Sequence, residues 1–145
     1  KYSKLFNLRK IPVELLYNYS IAGDGYFREI HRDSDNKVIV FLLYLSEMPN
    51  SAEGGSLDIY KLKDKKNNNL AQPKNEMCDK LASVKPKPGR LVIFKNTNDS
   101  FHAVNKLKNS NNERHFIYGG FTSLGQKNPF ITNRSKLRTE FSIYD

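Results

Sequence analysis

The stretch from Lys37 to Leu45, KVIVFLLYL, constrains the fold more than any other part of the chain. It is apolar after its first residue and β-branched at its start, and it falls far short of the roughly 20 apolar residues a membrane-spanning helix needs. A half-exposed strand would alternate apolar with polar side chains, so an unbroken run of this length reads as a strand buried on both faces. The rest of the chain has to supply the layers that cover it.

Short strands are what the flanking sequence offers. ELLYNYS and GYFREIH are aromatic and aliphatic runs joined by IAGDG, whose glycines and aspartate predict a hairpin. After the loop SEMPNSAEGG, the segment SLDIYKL places Leu57, Ile59 and Lys61 on one side and Ser56, Asp58 and Tyr60 on the other. KPKPGRLVIFKN gives a Pro-Gly turn and a strand, and SFHAVNK gives another. NSNNE predicts a turn between FHAVNKL and RHFIYGGFTS. From Lys63 to Ser83 the sequence is polar and basic and reads as a long mobile loop with one helical turn near Asn75 to Leu81. Roughly eight short strands with scarcely any helix predict an all-β fold with minor helix, a sandwich or jelly roll. The 145 residues suit a single domain, with a core over about 14–122 and a C-terminal tail over about 123–145.

Composition narrows the chemistry. Lys and Arg number 24 against 15 Asp and Glu, a formal charge of +9, so the surface field favours anionic partners such as dicarboxylates, phosphates, acidic proteins or nucleic acid. The basic run at 63–83 carries no interleaved aromatic to stack on a base, which favours a solvated loop over a nucleic-acid contact. The single cysteine, Cys78, rules out an intrachain disulfide or a cysteine-based zinc cluster, and in the polar setting NEMCDK it reads as a surface thiol. No apolar run approaches a membrane span, and the start KYSKLFNLRK has no hydrophobic signal core. A cytoplasmic, reducing setting with no membrane partner is expected.

The histidines carry the sharper signal. In EIHRD, His31 and Asp33 lie two positions apart in a segment that reads as strand, so they project side by side from one face. His102 sits far downstream in another predicted strand. Two imidazoles and one carboxylate brought together by a β-fold make a facial triad, the donor set of a non-haem Fe(II) centre with three open positions. A 2-oxo acid can fill two of them through its carboxylate and keto oxygen, leaving the third for O2. Its far carboxylate then needs a cationic partner inside the fold, and Arg supplies a bidentate one best. Arg114 opens the strand that follows His102, and a hairpin across the intervening turn would bring it within reach.

The ordered series HRD, YLSE, GGSLDIY, KPGRLVIF, FHAV and RHFIYGGF resembles the Fe(II)- and 2-oxoglutarate-dependent dioxygenases, within them the prolyl-hydroxylase-like branch, from about Tyr17 to Phe121. The resemblance implies a double-stranded β-helix core, jelly-roll and cupin-like. It also implies hydroxylation of a C–H bond with 2-oxoglutarate as co-substrate, and a prolyl residue in a peptide or protein as the target. Carried over by position, His31, Asp33 and His102 would be the iron ligands and Arg114 would bind the distal carboxylate. Tyr44 would hydrogen-bond the same carboxylate, and Tyr19 matches a pocket tyrosine. Gly54 and Gly55 match the glycine pair before the strand on which Leu57 would pack against the co-substrate.

The chain also departs from that pattern. The step from His102 to Arg114 is long for the family, which leaves Lys106 and Lys108 as outside candidates for the carboxylate. Phe116 replaces a small or hydroxylated residue, and the first tyrosine could be Tyr17 in place of Tyr19. His115 points to the face opposite Arg114 and reads as an ordinary strand histidine. Two other classes of function stay open. One is a cupin-like domain that binds metal or a small acid without oxidation, and the other is a basic nucleic-acid-binding module. Neither explains why H-x-D, H and R arrive in that order on predicted strands.

Overall fold

The computed structural model describes residues 12–48, 52–67, 69–110, 113–124, 128, 131 and 141–144. Nine strands follow in order: β1 (Val13–Ala22), β2 (Arg28–His31), β3 (Lys37–Tyr44), β4 (Leu57–Leu62), β5 (Cys78–Val84), β6 (Leu91–Lys95), β7 (His102–Val104), β8 (Arg114–Ser123) and β9 (Phe141–Tyr144). Two single 3-10 turns, Lys65–Asn67 and Asn75–Met77, are the only helical elements among the described residues. A larger sheet runs β1-β8-β3-β6-β9 and a smaller one β2-β7-β4-β5, all with antiparallel pairs. From β1 to β4 and from β5 to β8 successive strands alternate between the two sheets, as in the double-stranded β-helix form of the jelly roll.

The apolar run behaves as its sequence requires. β3 lies between β8 and β6, and Val38, Val40, Leu42 and Tyr44 are buried on one face while Ile39 is buried on the other. The main core fills the space between the sheets, where Val40, Leu42, Val92 and Phe94 meet Leu57, Ile59 and Val104. Fully burying a side chain of this size contributes roughly 1.5–3 kcal/mol, so this layer sets the distance between the sheets. A second cluster of Ile30, Leu62, Cys78, Phe101 and Ala103 packs on the other side of the smaller sheet.

Several local expectations give way to this topology. β1 and β2 do not form a hairpin. β1 pairs with β8 and β2 with β7, because β1 and β2 lie in opposite sheets. The polar stretch 63–83 is not all loop either, since Cys78–Val84 forms β5 against β4, with the helical turn just before it. Five consecutive residues of β5, Asp79–Ser83, are exposed, and an edge strand of this kind lacks the apolar pattern that marks strands in sequence. Cys78 is buried in the second cluster rather than a surface thiol, and burial pushes its thiol pKa up. In β4 a register shift between Ile59 and Tyr60 breaks the alternation, so Lys61 is exposed, Leu62 is buried, and Asp58 is buried among Lys80, Ser83 and Asn105. The tail contributes β9 to the larger sheet. The middle of the predicted turn at 109–113, and residues 125–127 and 132–140 of the tail, lie outside the described residues.

Candidate active site

The smaller sheet brings the two histidines together. His31 ends β2 and His102 opens β7, and they stand directly opposite in the antiparallel register. Opposed residues share a face, and the two rings lie 4.4 Å apart between centroids. Asp33 falls just past the end of β2, in the turn into β3. Asn96, fully buried, fixes that turn by donating from Nδ2 to the carbonyls of Ser34 at 2.9 Å and Lys37 at 3.0 Å. One potential ligand atom from each of His31, Asp33 and His102 lies within 4.8 Å of the others.

Each donor is prepared by its neighbours. His102 Nδ1 donates to the Ser100 carbonyl at 3.0 Å and His31 Nδ1 to the Glu29 carbonyl at 2.9 Å. A carbonyl can only accept, so both Nδ1 atoms carry a proton, which leaves Nε2 as the ring nitrogen available to a metal. Burial lowers the His102 pKa to about 4, with His31 adding to the effect and Asp33 opposing it, so the ring is neutral at physiological pH. Burial works to raise the Asp33 carboxyl, but His102, Lys37 and Tyr118 outweigh it and hold it below the ordinary range. Burial, reinforced by Asp33, pushes the Tyr118 phenol well up, so that hydroxyl stays a donor. Asp33 Oδ2 is buried with no hydrogen-bond partner, 3.6 Å from His102 Nε2. A bare carboxylate oxygen beside two imidazoles fits a divalent cation, and the N2O donor set suits Fe(II).

A cavity of about 360 Å³ opens beside the triad, and His31, His102, Leu57, Arg114, Phe116 and Tyr118 are among the residues that line it. No Asp or Glu is among them. Arg114, the first residue of β8, is 2% exposed. Its Nη1 donates to the Gly55 carbonyl, while Nε has no partner. Phe116, Tyr26 and Tyr44 surround it, with ring centroids 4.9, 5.4 and 5.8 Å from the guanidinium carbon. Burial lowers its pKa, although a guanidinium stays charged at neutral pH. Gly55 takes φ +71°, and a Cβ there would lie 3.3 Å from Arg114 Nη1, so glycine lets the backbone approach the guanidinium.

Arg114 does not reach the cavity by a hairpin. β7 and β8 belong to different sheets, and between them Leu107 is fully buried and exchanges backbone hydrogen bonds with Gly25 and Tyr26. Leu57 lines the cavity. Tyr44 sits behind Arg114, 1% exposed, and burial pushes its pKa up to about 12. Tyr19 and Tyr17 are 59% and 63% exposed, and Tyr19 instead bonds His115 on the outer surface. Lys106 and Lys108 are exposed and are not among the lining residues. Sequence reasoning missed Tyr26, Tyr118, Lys37, Asn96 and Ser100. Tyr118 was within reach, since Arg114, Phe116 and Tyr118 alternate along one strand and share a face.

Residues 15–121 match the family model of the 2OG-Fe(II) oxygenase superfamily. Among solved structures, a prolyl-4-hydroxylase from Pseudomonas putida superposes with a TM-score of 0.56 at 21% identity, covering 81% of this chain and 56% of that one. A prolyl 4-hydroxylase from Phytophthora capsici superposes with a TM-score of 0.53 at 18% identity, covering 89% of this chain and 42% of that one. At such identities the likeness concerns the fold, and this chain spans about half the length of either structure. No curated protein matches the sequence. No helix of the described residues is long and apolar enough to cross a membrane. The matched span runs from β1 into β8 and takes in His31, Asp33, His102 and Arg114, and on that ground the chain belongs to the 2OG-Fe(II) oxygenase superfamily.

Proposed function

We propose that the protein uses Fe(II), 2-oxoglutarate and O2 to hydroxylate a C–H bond, with a prolyl residue of a peptide or protein as its substrate. The balance is C–H + O2 + 2-oxoglutarate → C–OH + succinate + CO2. The observation that carries the reading is Arg114, a buried guanidinium with an unpartnered Nε, lining the same cavity as two histidines of a metal-competent triad. A buried cation without a carboxylate is costly unless a ligand supplies one.

The residues divide the work. His31, Asp33 and His102 would hold Fe(II), which when bound supplies the activation of O2 at the co-substrate. Arg114 offers two N–H groups in a planar fork to the distal carboxylate. Phe116 and Tyr26 exclude water around that ion pair, which strengthens it. Leu42, Leu57 and Val104 present apolar surface to the methylenes of the co-substrate. The prolyl assignment rests on the two prolyl 4-hydroxylases that share the fold, and the charge of +9 favours an acidic polypeptide.

The test is decarboxylation of 2-oxoglutarate by Fe(II)-loaded protein under O2, with proline-containing peptides present and the gain of one oxygen atom read by mass spectrometry. Succinate formation that needs both metal and O2 supports the oxygenase, and oxygen on proline supports the substrate. Binding of 2-oxoglutarate without any succinate would leave a cupin-like domain that binds metal and acid but performs no oxidation.

A further inference from the structure

Among the described residues, the side-chain hydrogen bonds to the Asp33 carboxylate both fall on one oxygen. Lys37 donates from Nζ to Oδ1 at 3.1 Å, and the Tyr118 hydroxyl donates to that Oδ1 as well. Lys37 Nζ also reaches the Tyr118 hydroxyl and lies 4.1 Å from the ring centroid, so the three side chains close a triangle. Two donors saturate the in-plane lone pairs of a carboxylate oxygen. Oδ2 is left buried and without a hydrogen-bond partner, on the side of His102.

We propose that Tyr118 and Lys37 hold Asp33 to ligation through one oxygen, keeping Oδ1 away from the metal so that a coordination position stays open for the co-substrate. The inference rests on the reading of His31, Asp33 and His102 as a metal triad that takes 2-oxoglutarate. A free carboxylate readily gives both oxygens to a divalent cation. With Oδ1 released, Asp33 would occupy two positions and compete with a chelating 2-oxo acid.

A merely structural role for the triangle is already filled by other groups. The turn from Asp33 to Lys37 is held through its main chain by Asn96 and by Asn128, which also donates to the Lys37 carbonyl. β3 and β8 are held by their own ladder from Ile39 to Tyr44. The side chains of Lys37 and Tyr118 are therefore spare for positioning the carboxylate. Tyr118 also lines the cavity, which places its ring beside the open side of the triad.

Cobalt(II) is the probe, because its visible spectrum reports coordination number. Wild type, Tyr118→Phe, Lys37→Met, the double variant and Lys37→Arg are checked for fold by circular dichroism, titrated with Co(II), then titrated with 2-oxoglutarate without O2. For the double variant we expect Co(II) affinity within about threefold of wild type, an altered visible spectrum, and 2-oxoglutarate affinity reduced about tenfold. Lys37→Arg, which keeps a donor on Oδ1, should restore the wild-type spectrum. A double variant with the wild-type spectrum and wild-type 2-oxoglutarate affinity overturns the proposal, as does a folded double variant that no longer binds Co(II). Wild-type protein that binds Co(II) but not 2-oxoglutarate would sink the oxygenase reading, and the spectra alone would still decide how many oxygens Asp33 gives.

Discussion

Replacing Arg114 by Met should move stability and ligand affinity in opposite directions. The guanidinium is 2% exposed, so water screens it little, and in the free protein no carboxylate lines its cavity. Exchanging a buried charge for an apolar side chain of similar length is neutral or stabilising by about 1–4 kcal/mol. The lost bond to the Gly55 carbonyl takes back about 1 kcal/mol, and so the ligand-free variant should be as stable as wild type or up to about 3 kcal/mol more stable. With 2-oxoglutarate present the sign reverses. A buried carboxylate facing Met has no partner, which costs about 3–5 kcal/mol, at least a hundredfold in affinity. Urea unfolding of the metal-free protein measures the first effect, and calorimetry of Mn(II)-loaded protein without O2 measures the second. Arg114→Lys should recover part of the affinity, because an ammonium is a point charge without the planar fork. A variant that loses about 2 kcal/mol or more of stability yet binds 2-oxoglutarate like wild type would refute the reasoning and make Arg114 a structural cation.

Asp33→Ala should abolish Mn(II) binding in calorimetry while the protein still folds, at a cost of about 1–3 kcal/mol in urea unfolding because Lys37 and the Tyr118 hydroxyl lose their shared acceptor. Gly120→Ala should destabilise by about 1–3 kcal/mol or more, read by urea unfolding, because its Cβ would lie 2.3 Å from the Ile39 carbonyl oxygen on the neighbouring strand. Stability of the metal-free protein should fall as pH drops from about 6.5 to about 4 and be flat above that window as far as His102 is concerned. The sign follows because His102 is neutral in the fold down to about pH 4 while the unfolded chain takes up the proton near 6.5, a loss of up to about 3 kcal/mol across the window. Equal urea midpoints at about pH 7 and about pH 4.5 would contradict it.

The legible part of this chain is the part where local pattern and tertiary role coincide. KVIVFLLYL announces a central strand because a short, β-branched apolar run fits a strand buried on both faces better than a helix. His31, Asp33, His102 and Arg114 could be named because their order and types match one chemistry, whatever path the chain takes between them. The path itself was misread where pairing is long-range. The IAGDG turn looks like a hairpin, yet β1 finds β8, about a hundred residues away, and β2 finds β7. Tyr19 failed for a related reason. Its neighbours Ser20 and Ile21 line the cavity, but the strand directs Tyr19 toward His115 outside. The polar network of Lys37, Asn96 and Ser100 leaves no pattern in sequence, because each contact depends on a turn whose geometry only the assembled sheets define.

Arg32 shows why an unsatisfied buried cation does not by itself mark a ligand site. It lies between two candidate metal ligands, is 7% exposed, and its Nε and Nη1 lack partners just as Arg114 Nε does. By burial alone the two arginines would rank as equals. They differ in what surrounds the orphaned atoms. Arg32 already spends Nη2 on Asp35 at 3.2 Å and is not among the residues lining the triad's cavity. Arg114 shares its cavity with His31 and His102 and has no carboxylate there. A dicarboxylate held at one end by the triad and at the other by Arg114 would satisfy Asp33 Oδ2, through the metal, and Arg114 Nε together. Arg32 does not line that cavity, whereas one ligand there could meet both Arg114 and a metal held by His31, Asp33 and His102.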